Sequence, residues 1–180
     1  MPKLSHDHIS GEDRRDSSFL QSPRSVAAAL TSRRIFLDSR HASRRDGPFE
    51  FTFRLDDFGR NRYKNVHCIQ LKAVGMPKVA NEEYVIIDVL QARDSDIDSS
   101  VPVLNDGFAV SYFDNSSLSP GDVKMSDKCF SQRAVFDPPI SSLDKFDVRI
   151  LKHDGSLVTD ADTANSNNVS LLFEITMSQP

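Results

Sequence analysis

Three aspartates at alternate positions are the clearest candidates for metal chemistry in this sequence. Asp94, Asp96 and Asp98 are spaced like the first ligands of a calcium-binding loop, because a hard cation prefers several carboxylate oxygens close together. The rest of the segment does not match an EF-hand loop, which would have Gly where this chain has Ser99 and Glu where it has Asn105. We therefore interpret the segment as a solvated acidic loop and predict no metal site.

A thiol and an imidazole could form a nucleophile and its base. Cys129 with a distant histidine is one such combination, but any chain with two cysteines and five histidines offers it. The candidate histidines in the body of the chain are His41, His67 and His153. The sequence contains no G-x-S-x-G, P-loop or H-E-x-x-H motif. We predict no catalytic residue, no cofactor and no small-molecule substrate, so we do not expect an enzyme.

Arginine doublets are concentrated in the first quarter of the chain. Residues 1–46 hold nine basic and six acidic residues, a net charge of +3, which leaves −7 for the remainder of a chain whose total is −4. Guanidinium pairs suit phosphates or acidic protein surfaces. Because aspartates lie among the arginines, the pattern favours an acidic neighbouring protein over nucleic acid. A solvated tail without a partner is the alternative.

Length and composition limit the class of protein. The chain has 180 residues, 38% hydrophobic and 27% charged, which fits one domain with a tail. It contains no 18-residue apolar run, and residues 1–16 are too charged for a signal peptide. Two cysteines are too few for a disulfide scaffold or a four-cysteine zinc site.

The first 32 residues differ in composition from the rest. They are rich in Ser, Arg and Asp and poor in large apolar side chains, so they cannot offset the entropy cost of ordering alone. We predict an extended N-terminal arm at 1–32 that is ordered by partners, followed by a domain at 33–180. The residues predicted to contact a partner through this arm are Arg14, Arg15, Leu20, Arg24, Val26, Leu30, Arg33 and Arg34.

Short strands are predicted from position 33 onward. The strongest signal is Phe49, Phe51, Phe53 and Leu55 alternating with polar residues, which is typical of a strand with one buried face. We predict eight strands, within residues 35–37, 49–55, 66–74, 84–90, 108–113, 129–136, 146–151 and 169–177. The sixth should end at the Asp-Pro-Pro of 137–139, because proline cannot donate to a ladder.

Eight short strands without a long amphipathic helix predict an all-β fold. We expect an antiparallel, jelly-roll-like β-sandwich, with a barrel as the alternative. A sandwich could also present residues 94–105 and 114–122 as recognition loops for a carbohydrate or a peptide. A binding module is therefore the second function class that the sequence leaves open.

Several segments of the chain resemble small structural proteins of nucleocytoplasmic large DNA viruses, particularly of the algal-virus branch. The segments that carry the resemblance are 34–40 (RIFLDSR), 49–55 (FEFTFRL), 64–77 (KNVHCIQLKAVGMP), 136–150 (FDPPISSLDKFDVRI), 154–158 (DGSLV) and 171–175 (LLFEI). Together they span about residues 33–177 and leave the arm outside.

The resemblance implies a β-sandwich protein of an icosahedral shell. A minor capsid protein of this kind would lie beneath or between the capsomers of the major capsid protein, with that protein and other minor capsid proteins as its partners. It would be found in the virion, and in the host cytoplasm during assembly. The resemblance supplies no catalytic residue.

Overall fold

Ten strands and a few short 3-10 turns make up the part of the chain that the computed structural model describes, residues 29–58, 63–93, 102, 107–113, 119–120, 122–126 and 133–178. The strands are β1 (Leu30–Asp38), β2 (Arg44–Gly47), β3 (Glu50–Arg54), β4 (Tyr63–Pro77), β5 (Tyr84–Val89), β6 (Ala109–Tyr112), β7 (Val123–Ser126), β8 (Arg133–Leu143), β9 (Lys145–Leu151) and β10 (Ser170–Ser178). The all-β class predicted from sequence is confirmed.

The strands form two antiparallel sheets. Sheet A has the order β1-β10-β4. Two strands pair with the other edge of β4: β8 pairs with residues 63–70 and β7 pairs with residues 74–77. Sheet B has the order β2-β3-β9-β5-β6. Sheet A thus has five strands in four lateral positions, and the inner faces of the two sheets form the sandwich.

The pairing of the strands is nested along the chain. β1 pairs with β10, β3 with β9, β4 with β7 and β8, and β5 with β6. The chain is therefore one long hairpin whose closed end is β5–β6 and whose successive pairs alternate between the two sheets. This is the connectivity of a jelly roll, with β2 added beside β3.

The core follows from period-two alternation. In β10, Leu171, Phe173, Ile175 and Met177 are buried, while the residues between them are only half-buried. Alternate side chains of a strand point to opposite faces, so these four side chains enter the space between the sheets. β3 contributes Phe51 and Phe53 to the same core from sheet B.

The predicted end of the sixth strand is wrong. β8 continues through Pro138 and Pro139 to Leu143. Its register against β4 shifts at this point, because Val66 pairs with Ile140 whereas Cys68 pairs with Val135. The prolines lie in the extra residues of this irregularity, where no ladder donor is needed, so they do not stop the strand.

Two strands and the boundary of the arm also differ from the sequence predictions. β2 is wholly polar apart from its glycine, so it shows no alternation, and β7 alternates over four residues alone, which is too short a pattern to identify a strand. β1 begins at Leu30, so residues 30–32, which we assigned to the arm, are part of sheet A. Asp46 and Gly47 belong to β2, and the turn between β2 and β3 lies at residues 48–49.

Candidate functional site

β1 is an edge strand that is paired on one side only within the described residues. All nine of its residues are in register with β10. Leu30 and Phe36 are 59% and 58% exposed, although Ile35 and Leu37 beside Phe36 are buried in the core. The strand therefore presents about 30 Å of open backbone edge together with two exposed apolar side chains.

The outer face of sheet A carries little charge next to this edge. The register places Phe36, Leu172 and Ala73 in one row across three strands. A second row contains Ser32 and Thr176, whose hydroxyl oxygens are 3.0 Å apart. Between these rows, the Arg34 guanidinium contacts the Glu174 carboxylate at 3.4 Å. An open edge beside an uncharged row is a suitable surface for another protein.

The outer face of sheet B is highly charged. It contains a shallow channel of about 890 Å³ that runs over β9 and β3 beside β2. Lys145, Asp147 and Arg149 of β9 line the channel at alternate positions, so their side chains share one face. The outer face of sheet B is therefore ionic, whereas the row of Phe36, Leu172 and Ala73 on sheet A is uncharged.

A buried carboxylate fixes one end of the channel. Asp88 on β5 is 2% exposed. Arg93 donates to it through Nε at 3.1 Å and Nη2 at 2.8 Å. Arg149 donates through Nε at 2.9 Å and Nη2 at 2.5 Å. The two guanidinium groups are more than one third exposed, so they form a rigid cationic surface above a buried anion.

The titration of Asp88 reflects two opposing effects. Burial raises the pKa of this carboxyl, but the hydrogen bonds and positive charges of Arg93 and Arg149 lower it by more, so the pKa lies below its ordinary value. Asp88 is therefore ionised at neutral pH. The cluster has two positive charges and one negative charge.

A second carboxylate organises the middle of the channel. Asp147 accepts hydrogen bonds from the Thr52 hydroxyl and the Gln91 amide, both at 2.8 Å. It also forms an ion pair with Lys145 at 2.6 Å. The backbone N–H of Asp147 donates to the Gln91 side-chain oxygen at 2.9 Å. These contacts attach the 3-10 turn of residues 90–92 to β9.

Two cations lie opposite each other at the other end of the channel. Arg54 on β3 is in register with Lys145 on β9, and both are exposed. Like charges directly opposite each other across a sheet are unfavourable. Arg54 has no side-chain partner among the residues that the structure describes. This end of the channel also contains the Asp57 carboxylate, which accepts a hydrogen bond from the Ser43 hydroxyl.

The turn after β9 contains an ion pair between a histidine and a buried carboxylate. His153 Nδ1 is 2.8 Å from Glu82 Oε2, and the Glu82 side chain is 7% exposed while that of His153 is 61% exposed. The hydrogen bond to Glu82 raises the pKa of His153 above its ordinary value.

The residues predicted to bind partners are only partly within the described structure. Leu30, Arg33 and Arg34 lie on β1, where all three are exposed. The other five, Arg14, Arg15, Leu20, Arg24 and Val26, lie outside the described residues, as do the acidic triplet of 94–98 and Cys129. Their predicted roles stay predictions.

The histidines do not form a common site. His41 lies in the 3-10 turn after β1, His67 on β4 and His153 in the turn after β9, and no hydrogen bond joins any two of them. In the described stretches, no group of three or more His, Cys, Asp and Glu side chains is arranged to hold a metal ion. Nor does this part of the chain contain a helix long and apolar enough to cross a membrane.

Sequence reasoning missed the Asp88 cluster. Asp88 and Arg149 are 61 positions apart and meet only because β5 pairs with β9. One signal was present: an aspartate in the apolar run of β5, where a buried charge needs a partner. The partners themselves could not be read from spacing.

Comparison with known proteins does not assign the chain to a family. No protein-family model matches the chain, and no curated protein matches it either. A functional proposal therefore depends on the fold, the surface chemistry and the resemblance described from the sequence.

Proposed function

We propose that the chain is a structural protein of an icosahedral virus shell, in which it joins capsomers of the major capsid protein as a minor capsid component. Jelly rolls occur in viral capsid proteins and in lectin-like domains, so the fold fits this function. The resemblance of residues 33–177 to structural proteins of large DNA viruses selects the first of these classes.

The observation that carries the proposal is the continuity between the predicted arm and the open edge of sheet A. The arm leads directly into β1 at Leu30, and β1 is the edge strand. A neighbouring protein that holds the arm therefore lies beside an open strand edge and the exposed Phe36 side chain. Main-chain hydrogen bonds at such an edge give affinity, and the flanking side chains give specificity.

Charge supports contact with neighbours. The first 46 residues have a net charge of +3 and the remainder −7. The positive excess lies in residues 33–46, at β1 and β2, so this part of one molecule and the acidic remainder of an adjacent molecule attract each other. In a shell, each contact is repeated many times, so individually weak contacts together hold the assembly. The proposed partners are the major capsid protein and other minor capsid proteins, and the proposed location is the virion.

Incorporation into particles tests this function. The full chain and a variant lacking residues 1–28 are expressed during infection, and purified particles are analysed by quantitative mass spectrometry. We expect the full chain at a fixed ratio to the major capsid protein and the variant to be depleted at least about tenfold, because it lacks the arm. Absence of the full chain from particles would rule the function out.

A binding module is the second candidate, and the channel on sheet B favours it. Its volume of about 890 Å³ lies within the range of small-molecule sites. Its lining is mainly ionic, which suits a charged peptide or an acidic sugar better than a neutral one. Thermal stabilisation of the isolated chain by a panel of such ligands separates this candidate from the first, since a shell protein requires no ligand.

A further inference from the structure

β1 is the least protected of the sheet edges that the structure describes. β2, β6 and β7 have four residues each. β8 contains Pro138 and Pro139 and shifts its register against β4. β1 has nine residues in unbroken register with β10, contains no proline, and includes the apolar sequence Ile35, Phe36 and Leu37. Short strands, prolines and bulges protect sheet edges from pairing, so a long edge without them indicates a pairing surface.

The direction of the backbone groups in β1 follows from a hydrogen bond at its end. The Ser39 N–H donates to the Val169 carbonyl at 2.8 Å, and these two positions continue the register of β1 with β10. In an antiparallel pair, residues that exchange hydrogen bonds with the neighbouring strand alternate with residues that do not. The N–H and C=O groups of the odd positions in 31–37 therefore point to β10. Those of the even positions in 30–38 point to the open edge.

The even positions also carry exposed side chains. Leu30, Arg34 and Phe36 are exposed, whereas Ile35 and Leu37 are buried in the core. Phe36 therefore lies on the open edge with its ring, its N–H and its C=O all directed away from the interior of the sandwich.

A second copy of the chain can supply a strand with matching backbone groups. Two copies related by a two-fold axis present the same surface to each other, so β1 would meet β1 in antiparallel direction. When the axis passes through a residue of β1, even positions of one copy lie opposite even positions of the other. The open N–H and C=O groups of both copies then meet.

The side chains select the register in which the axis passes through Phe36. There the two Phe36 side chains are opposite each other, and Arg34 of each copy is opposite Asp38 of the other. Registers centred on Arg33 or Arg34 place two arginines directly opposite each other, which is unfavourable. The register centred on Ile35 places Arg34 opposite Phe36 and forms neither favourable pair. Aromatic pairs and pairs of opposite charge are the ones that stabilise neighbouring strands.

The contacts within each copy are compatible with this register. The Arg34 guanidinium contacts Glu174 through Nε at 3.4 Å, and it has five N–H donors in all. The Asp38 carboxylate accepts hydrogen bonds from the backbone N–H, Nε and Nη2 of Arg40. A carboxylate has about four acceptor positions, so Asp38 can accept one further donor. Because Arg40 already balances its charge, the pair with Arg34 adds a directional hydrogen bond.

We propose that two copies of the free chain form a two-fold dimer through β1, with Phe36 at the axis. Residues 34–38 of each copy pair, because the chain leaves the strand at Ser39, and the two copies of sheet A become one continuous antiparallel sheet. One short strand from each copy makes a small interface, so the dimer is weak and forms at high protein concentration. This inference concerns the free protein and does not depend on the proposed function.

Sedimentation velocity of the full chain under reducing conditions tests the dimer. We expect the weight-average mass to rise from that of one chain towards that of two between about 5 and 500 µM, the range suited to a weak interface. The mass of a single chain throughout this range would overturn the proposal and leave the edge to a different partner.

A proline at the axis tests pairing through the main chain. The Phe36 N–H points away from β10, so Phe36→Pro removes no hydrogen bond of the sheet and should change the melting temperature by no more than a few degrees. It does remove both hydrogen bonds at the axis, whereas Phe36→Ala removes the ring and keeps the N–H. We expect Phe36→Pro to dimerise at least about tenfold more weakly than Phe36→Ala. Equal dimerisation of the two variants, or unfolding of Phe36→Pro, would contradict the pairing.

Disulfide formation tests the register, in a chain that also carries Cys68→Ser and Cys129→Ser. Opposite residues that exchange hydrogen bonds have Cα atoms about 5.5 Å apart, which a disulfide can join. The Ser32 positions of the two copies are eight residues out of register, about 26 Å apart. Under mild oxidation we expect Phe36→Cys to give the covalent dimer at least about tenfold faster than Ser32→Cys. Equal rates would exclude an axis at Phe36.

Two charge reversals on one row distinguish β1 from the rest of sheet A. Arg34, Glu174, Gln70 and Arg133 lie in one row, with Arg133 at the opposite edge on β8. We expect Arg34→Glu to weaken the dimer about tenfold, because like charges then face each other at two places, and Arg133→Glu to leave it unchanged. Equal weakening would show that net charge alone matters, which contradicts pairing through β1. Absence of the chain from virus particles leaves these outcomes unchanged, so failure of the proposed function is distinguished from failure of this inference.

Discussion

Phe146 and Phe173 stack across the interior of the sandwich, with ring centroids 4.9 Å apart and ring planes 11° from parallel. Phe146 belongs to β9 of sheet B and Phe173 to β10 of sheet A, and both are fully buried. Phe108 also packs against Phe173, at 6.1 Å between centroids. This contact therefore joins inner strands of the two sheets.

Removing the Phe173 ring should destabilise the whole sandwich. We expect Phe173→Ala to lower the free energy of unfolding by about 3 to 5 kcal/mol, because it loses buried area and leaves a cavity between the sheets. Urea unfolding followed by fluorescence or circular dichroism measures this. Phe36→Ala removes an equal volume from an exposed position and should cost less than about 1 kcal/mol. Equal costs for the two variants would contradict the assigned core.

Neutralising Asp88 should be costly because two guanidinium groups depend on it. Asp88→Asn removes the buried negative charge that both Arg93 and Arg149 contact, and we expect a loss of about 2 to 3 kcal/mol, since both arginines are partly exposed to water. Urea unfolding at low salt is the measurement. Asp46→Asn removes an exposed pair with Arg44 and should cost under about 0.5 kcal/mol. A cost this small for Asp88→Asn would mean that the cluster contributes nothing.

The pair of His153 and Glu82 predicts a defined pH dependence. The pKa of His153 is raised in the folded protein, so its contribution to stability is fully present below the ordinary value of 6.5 and is lost as pH rises through the raised pKa. The melting temperature of His153→Gln should therefore fall further below that of the unmodified chain at pH 5.5 than at pH 9. In a Glu82→Gln background this pH-dependent difference should vanish, and its persistence would exclude Glu82 as the cause.

The sequence predicted the strands with a long apolar or alternating pattern, and missed the strands that are polar or very short. The alternation from Phe49 to Leu55 and in β10 reports directly which side chains enter the core. β2 was missed because its polar residues are exposed on an edge. The end of β8 was predicted too early. Proline stops a strand where its missing N–H would be needed for a ladder hydrogen bond, but Pro138 lies where the register shifts and no such bond is needed.

The candidate sites were beyond sequence reasoning for a different reason. The Asp88 cluster, the channel and the row containing Phe36 depend on which strands become neighbours and in which register. The spacing of residues along the chain does not show which strands, far apart in sequence, pair with each other. The proposed roles of Arg14 and the other arm residues rest on composition and charge. These roles stay predictions.

The boundary of the arm can be tested by two truncations. Deletion of residues 1–28 leaves β1 complete, whereas deletion of 1–32 removes Leu30 and two further residues that pair with β10. At about 0.3 M salt, where ionic contacts of the arm are weak, we expect the first deletion to change the melting temperature by no more than a few degrees. The second should lower it further. If the first deletion unfolds the protein, the arm belongs to the core.

Crosslinking mass spectrometry of intact purified particles tests the proposed function most directly. Lysine-reactive and carboxylate-reactive reagents report which proteins lie beside the arm and beside β1. The account predicts links from residues 1–38 to the major capsid protein that disappear when the particles are dissociated before crosslinking. Particles that lack the chain, or that contain it with links from this segment to its own polypeptide alone, would contradict a role in joining capsomers.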